Sequence, residues 1–410
     1  MLGTPKGLRL HIGFFGKRNA GKSSMINALT NQAISIVSSV PGTTTDPVEK
    51  SAELSPIGPV VYIDTAGIDD VDALGKERVK RSLSVLEWMD LAIIVLKASS
   101  FDHYEKDLLA KVKTLNIPAL IVVNQIDIDP PSDALIQELQ AFGHPVIQTA
   151  AKDKVGIDSL RQAIISALDQ FCEPDAPLVG DLVNAGDTVL LVVPIDTGAP
   201  KGRLILPQVQ AIRELLDQGA KCIVIQEDRV KETLEELKHD PKLIMTDSQV
   251  IKKVAADSPA RIPLTSFSTQ MAYAKCDLLE LARGTAALSH LKGNDRVLIC
   301  ETCSHHPQKD DIGRLKIPRW LRETISPDLQ IDIAVGKDFP TDLKRYKVII
   351  QCGGCVVTRR HMLARLRHAM EEEVPMTNYG LTISYLQGVL ERVLACHPEA
   401  LKAYLEAKKV

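Results

Sequence analysis

The sequence predicts an α/β protein in which a larger N-terminal domain precedes two smaller ones, all with mainly parallel sheets. Three observations predict it. The chain of 410 residues is long enough for two or three domains of about 150 residues each. Aromatic residues make up 4% of it against 45% hydrophobic residues in all, so Val, Ile, Leu and Ala dominate, as in strands buried on both faces. Short apolar runs alternate with helical periodicity, and that alternation implies right-handed parallel crossovers.

The elements follow in order. Leu8–Phe15, Val60–Asp64, Leu91–Leu96, Ala119–Asn124 and Pro145–Thr149 read as strands. Helical stretches at Ser23–Leu29, Lys76–Leu86, Tyr104–Leu115 and Ile157–Leu168 separate most of them. A first boundary falls at Cys172–Pro177. The second region carries strands Thr188–Ile195 and Lys221–Gln226 around a helix, Gln208–Gln218, that Gly219 stops in the C′ position. Val230–Lys238, Leu243–Thr246 and Ser248–Ala256 continue it, and a softer boundary lies at Ser258–Ser268, rich in Pro and Ser. The third region is expected to hold one long helix from Gln270 to about Leu288, then strands Arg296–Cys300, Gln330–Val335 and Lys347–Gln351. Two closing helices follow, Thr358–Glu372 and Leu381–Leu394.

Charge and hydropathy exclude several classes. Lys+Arg 49 against Asp+Glu 52 gives a net charge of −3, which does not suit a protein that coats nucleic acid or a membrane surface. Apolar runs such as Leu190–Val193 and Ala92–Leu96 fall far short of the ~20 residues that span a bilayer. The N-terminus shows no signal-peptide h-region, so a cytoplasmic, reducing location is expected for the 8 cysteines.

Gly16-Lys17-Arg18-Asn19-Ala20-Gly21-Lys22-Ser23 matches G-x-x-x-x-G-K-[ST] between a predicted strand and a predicted helix. Glycines turn backbone N–H groups around phosphates, and the helix N-terminus adds positive potential. Lys22 is expected to reach the β- and γ-phosphates and the Ser23 hydroxyl to ligate Mg²⁺, with Ser24 beside them. Four further segments follow in the order a guanine-nucleotide switch needs. Pro41–Asp46 offers hydroxyls to the metal, Thr44 first among them. Asp64-Thr65-Ala66-Gly67 places a carboxylate near Mg²⁺ and the Gly67 N–H near the γ-phosphate. Asn124-Gln125-Ile126-Asp127 sets the Asp127 carboxylate to accept both N–H donors of guanine, a pairing adenine cannot make. Thr149-Ala150-Ala151-Lys152 offers a backbone N–H to guanine O6.

These residues, from Gly13 to about Leu168, resemble the small GTPases of the TrmE/Era group. The resemblance implies GTP hydrolysis, and an Asn at the Asn19 position with a threonine-rich first switch, here including Thr43, implies a bound K⁺ in place of an arginine finger. Two positions depart from the pattern: Gln125 replaces the usual Lys, and Ile68 stands where Ras-like proteins orient water with Gln.

The cysteines carry a second signal. Cys300-Glu301-Thr302-Cys303 and Cys352-Gly353-Gly354-Cys355 form two C-x-x-C pairs, and His305 and His306 follow the first. Cys172, Cys222, Cys276 and Cys396 sit on apolar patterns and read as small core residues. A structural zinc site competes with an iron–sulfur cluster here. The 48 residues between Cys303 and Cys352 exceed the ~15–20 of a compact zinc ribbon. Both pairs lie at the C-terminal ends of predicted strands, where open α/β sheets place ligands. If those strands are neighbours, Cys303, Cys352 and Cys355 converge while Cys300 faces the core. Three thiolates and a variable fourth partner suit a cluster with one exchangeable iron. Arg359, Arg360 and His361 fill the first turn of the following helix, where a nearby anion, or plain solvent exposure, would accommodate them.

A GTPase followed by an α/β middle region and Cys303-Ser304-His305 with Cys352-Gly353-Gly354-Cys355 resembles the HydF family of [FeFe]-hydrogenase maturation GTPases over essentially the whole chain. Gln351 stands where many members have His. The resemblance implies a GTPase domain (1–172), a dimerisation domain (178–262) and a cluster domain (263–410). It further implies a [4Fe–4S] cluster on the three cysteines, with His305 the fourth partner by motif and His306, Asp310 or Asp311 by proximity. The implied partners are two radical-enzyme maturases and the immature hydrogenase, with the chain acting as carrier of a diiron precursor and as a homodimer. Two other readings stay open from the residues alone: an RNA- or ribosome-associated GTPase with structural zinc, and a dithiol redox sensor.

Overall fold

The computed structural model describes residues 6–30, 47–69, 79, 82–171, 176–195, 204–302, 311–336, 339–340 and 342–409. The chain divides into two compact units, Met1–Pro174 and Asp175–Val410.

In the first unit, β1 (Leu10–Phe15), β2 (Val48–Leu54), β3 (Gly58–Asp64), β4 (Leu91–Leu96), β5 (Ala119–Asn124) and β6 (Val146–Thr149) form one sheet in the order β2-β3-β1-β4-β5-β6. β4 and β5 are buried along their whole length, which is why they read as unbroken apolar runs. All pairings are parallel except β2 with β3. From β1 the chain reaches β3 on one side and β4 on the other. That reversal opens a crevice at the C-terminal end of β1, where such sheets place ligands. β2 escapes the periodicity because Val-Glu-Lys-Ser-Ala-Glu-Leu is a charged edge strand, the composition that blocks further strand pairing. A helix over Asp133–Gln140, capped by the Ser132 side chain, was likewise not expected.

The second unit holds two four-stranded, all-parallel sheets. β7 (Thr188–Val192), β8 (Lys221–Ile225), β9 (Leu243–Thr246) and β10 (Leu264–Ser266) run in the order β10-β9-β7-β8. β11 (Arg296–Glu301), β12 (Gln330–Val335), β13 (Val348–Gln351) and β14 (Met376–Asn378) run β12-β11-β13-β14. Leu190, Val192 and Ile244 share one core with Val297, Ile299 and Ile350, so the two sheets pack into a single body. β10 lies inside the expected boundary at Ser258–Ser268 and extends the middle sheet.

Three expectations for this unit need correcting. The long helix breaks at Cys276–Asp277, because the Asp277 carboxylate accepts the N–H groups of Leu279 and Glu280 and caps a new helix, Leu278–Ala286. Leu381–Leu394 is two helices, Tyr379–Leu386 and Leu390–Leu394, parted at Gly388 (φ 73°), and Pro398–Ala407 follows. β14 was missed because three residues show no period.

Arg392 joins the two sheets' connections. Its guanidinium donates to the carbonyls of Ala255 (2.8 Å), Ser258 (3.3 Å), Pro259 (2.8 Å) and Ile262 (3.2 Å) and to the Ser258 hydroxyl (3.0 Å). Arg392→Met keeps the aliphatic stem but strands these acceptors. It is expected to lower the stability of this unit by about 2–4 kcal/mol in a denaturant titration.

Candidate functional site

The P-loop lies between β1 and the helix Lys22–Thr30. Gly21 has φ 96°, and a Cβ there would stand 2.1 Å from Asn124 Nδ2, so only glycine fits. Lys22 is 7% exposed, and its ammonium donates to the carbonyls of Gly16 and Lys17, both at 2.9 Å. Burial pulls its pKa below the usual lysine range, against the opposing pull of Asp64 and Asp69. The Ser23 hydroxyl donates to Asp64 Oδ2 at the end of β3. Burial pushes the Asp64 carboxyl up, opposed by that hydrogen bond and by Lys22. Asp64 Oδ1 is buried with no hydrogen-bond partner. The Ser23 hydroxyl and the Asp64 carboxylate, one of whose oxygens is buried and unsatisfied, together fit a hard divalent cation such as Mg²⁺.

Beyond Asp64, Gly67 lies against the Arg18 amide, whose N–H donates to Asp69 Oδ1 at 2.8 Å. Ile68 is buried, with its N–H directed at the Gly16 carbonyl (3.3 Å), so its side chain offers nothing to a water molecule. Lys17 is held by the carboxylates of Asp102 (2.7 Å) and Glu105 (3.1 Å) at the start of the helix His103–Thr114.

The base side is organised by Asn124, which is 1% exposed at the end of β5. Its Nδ2 donates to the Ala20 carbonyl at 2.9 Å, and its Oδ1 accepts from the Thr149 hydroxyl (3.0 Å) and the Ala151 N–H (3.1 Å). Asn124 thus ties the P-loop to the base loops, with one of its two Nδ2 N–H groups engaged in the tie. Gln125 donates through Nε2 to the carbonyl of Asn19 (2.9 Å), which has φ 59°, so an amide keeps a tie to the P-loop without a lysine. Asp127, Ser24, Gly21, Ala151 and Lys152 line a cavity of about 540 Å³. A second one of about 690 Å³, lined by Lys22, Ser23, Asp64 and Gly67, shares Gly21, Ser24 and Gln125 with it. In the loop expected to meet guanine O6, the Ala150 N–H bonds the Val155 carbonyl (3.0 Å) and that of Ala151 bonds Asn124 Oδ1 (3.1 Å).

In the second unit β11 and β13 are parallel neighbours, with Cys300 in register with Gln351. Cys300 is 1% exposed among apolar side chains, and burial pushes its thiol up to about 12. That is a core thiol. Cys352, just past β13, is half-buried, and its Sγ accepts the Thr302 N–H at 3.2 Å. Gly354 (φ 64°) turns the chain back to Cys355, and a Cβ there would stand 2.5 Å from Met362 Sδ. Cys355 is half-buried, and burial and the neighbouring Cys352 raise its pKa, with Lys275 opposing. Lys275 donates to the Val357 carbonyl (2.8 Å) and Arg359 to that of Ala274 (3.1 Å), so Arg359 does not splay into solvent. Cys276 is buried as expected, whereas Cys222 and Cys396 are half-buried against the middle core.

Comparison with known proteins extends these observations. Residues 11–125 match the 50S ribosome-binding GTPase domain, 178–276 the Hydrogen maturase F dimerization domain, and 279–396 the Hydrogen maturase F tetramerization domain. The chain belongs to the hydrogen maturase F family. Its GTPase domain is also similar to the tRNA modification GTPase MnmE of Syntrophotalea carbinolica, 39% identical over 162 residues, which are 39% of this chain and 33% of that protein. GTPase Der of Wolinella succinogenes is 30% identical over 172 residues, 40% of this chain and 36% of that protein. The chain therefore spans about a third of the length of the curated relatives it matches. The FeoB G-domain of Methanococcus jannaschii aligns with 20% identity and a TM-score of 0.31, over 39% of this chain and 98% of that one.

In this hydrogen maturase F chain, Thr43, Thr44, Cys172, Cys303, His305, His306 and Asp310 lie outside the described residues. Asp311 is 7% exposed, and its Oδ1 accepts the Arg314 N–H at 2.9 Å. Among the described residues no three His, Cys, Asp or Glu side chains form a metal-binding group, and no helix is long and apolar enough to cross a membrane. Sequence reasoning missed Thr302 as a partner of Cys352 and Asp69 as a cap on the P-loop. The one available signal was their place beside motif residues.

Proposed function

We propose that this chain is a GTP-hydrolysing scaffold. It holds a [4Fe–4S] cluster on Cys303, Cys352 and Cys355 and passes a diiron subcluster precursor to an immature [FeFe]-hydrogenase. The observation that carries the cluster half is the Thr302 contact with the Cys352 sulfur (3.2 Å). Cys303, the residue after Thr302 in sequence, is assigned as the third ligand beside Cys352 and Cys355, while Cys300 is buried in the core. Thiolate sulfur suits iron–sulfur ligation, and His305 or an exchangeable partner completes the fourth iron. The dimerization and tetramerization domains support a place in hydrogenase maturation and an oligomer as the working form; the partners of this reading are radical-enzyme maturases, with a homodimer as the smallest assembly.

On the nucleotide side, Lys22 neutralises charge on the β- and γ-phosphates, Gly67 offers its amide to the γ-phosphate, and Asp127 selects guanine. Ser23, Thr44 and Asp64 would hold Mg²⁺, which supplies charge stabilisation to the transferring phosphoryl group. Since Ile68 cannot orient water, we place K⁺ at Asn19 as the added positive charge. Hydrolysis is then expected to be at least about tenfold faster in KCl than in NaCl, measured as phosphate release. Equal rates would remove K⁺ from the mechanism. Ordering of the switch loops by the γ-phosphate gives GTP state a route to partner affinity.

Anaerobic reconstitution with iron and sulfide tests the cluster. Brown absorbance is expected in Cys300→Ala and absent in Cys352→Ala. Colourless protein with stoichiometric zinc would instead favour the structural-zinc reading.

A further inference from the structure

We infer that Thr302 and Gln351 are positioning residues that load the Cys352 sulfur with hydrogen bonds and so set the reduction potential of the cluster. The inference rests on the cluster reading given under Proposed function. Three donors converge on this sulfur. The Thr302 N–H lies 3.2 Å from it, the Thr302 hydroxyl 3.1 Å, and Gln351 Nε2 3.4 Å. Thr302 and Gln351 are 5% and 0% exposed, so both donors are shielded from water, while the sulfur they face is half-buried.

The orientation of the Gln351 amide follows from its neighbours. Its Oε1 accepts from Arg365 Nη1 at 2.8 Å. A guanidinium only donates, so the amide oxygen faces Arg365 and the NH₂ group faces the other way. On that side stand the carbonyls of Cys300 and Cys352, each 3.4 Å from Nε2, together with the sulfur. Arg365, 3% exposed, is fixed in turn by its Nη2 bond to the Gly336 carbonyl at 2.8 Å, just past β12. The donors therefore stand on the ends of paired strands, with the register of Cys300 to Gln351 holding them in place.

A ligating thiolate carries more negative charge when its cluster gains an electron. N–H and O–H groups aimed at it stabilise the reduced form more than the oxidised one and raise the potential. No atom moves and no proton is transferred; the electron comes from an external reductant.

The test uses the full chain, reconstituted anaerobically and titrated with dithionite through redox dyes, with the reduced cluster followed by electron paramagnetic resonance. Thr302→Val removes the hydroxyl without adding charge or changing shape. Gln351→Glu keeps the Arg365 partner and turns the donor into an acceptor. Each variant is expected to bind wild-type amounts of iron with a reduced-to-oxidised ratio about tenfold lower at fixed potential, a midpoint about 59 mV more negative for a one-electron couple. Unchanged midpoints at wild-type iron content would overturn the inference, because a merely structural role leaves the potential where it was. Loss of iron from Thr302→Val would also overturn it, since a tuning residue leaves ligation intact. Should Gln351→Glu fail to fold, Thr302→Val alone decides. Wild-type protein that takes up no iron would defeat the cluster reading itself, a result distinct from equal potentials.

Discussion

Lys22→Met is expected to lower GTP hydrolysis by about 10³-fold while leaving the melting temperature of the N-terminal unit unchanged or higher. Lys22 is 7% exposed, and its ammonium meets the two carbonyls of Gly16 and Lys17 at 2.9 Å. A buried cation satisfied by neutral oxygens is costly to the fold, and the lowered pKa of Lys22 expresses that cost. On the proposed reading the charge is kept for the phosphates. Methionine keeps the length and apolar stem but removes the charge, so function falls where stability does not. Phosphate release and a thermal melt on the same preparation measure both quantities. A melting temperature lower by many degrees with hydrolysis intact would make Lys22 a structural residue.

Asp127→Asn is expected to weaken GTP binding relative to XTP by about 10⁴-fold. Guanine presents an N1–H and an N2 amino group, and a carboxylate accepts from both. An asparagine turns its own NH₂ toward one of them, whereas xanthine carries an oxygen at that edge. Asp127 lines the same cavity as Gly21, Ser24 and Lys152, and the Ala150 and Ala151 amides already bond within the protein, so the discrimination is expected to fall on the Asp127 carboxylate. Competition binding with GTP and XTP reads the ratio. An unchanged preference would mean that another group reads the base.

The nucleotide site was largely legible because its residues are local. The span Gly16–Ser23 holds most of the residues assigned to the phosphates, and Asp64, Asn124 and Thr149 each end a strand whose apolar run is visible. What escaped depends on pairs distant in sequence. The three hydrogen bonds of Asn124 to Ala20, Thr149 and Ala151 join three separate loops and leave no trace in the local pattern. Asp69 capping the Arg18 amide and Gln125 tying Asn19 are contacts between loops from different strands.

The cysteine site divides the same way. The inward turn of Cys300 could be read from its place as the last residue of its strand, whereas the pairing of β11 with β13 entered only as a condition that the fold then met. The donors on Cys352 did not, because they depend on a one-residue choice of register that 48 intervening residues leave open. The helix breaks at Asp277 and Gly388 were signalled by a good N-cap and a glycine, and the apolar spacing around them overrode both signals.

Iron content is the most direct measurement of the central claim. Full-length wild-type protein, purified and reconstituted without oxygen, is assayed for iron and sulfide and examined by Mössbauer spectroscopy. The account predicts four iron atoms and four sulfides per chain in a cubane cluster. Protein that stays free of iron with sulfide supplied, or holds zinc in its place, would contradict it.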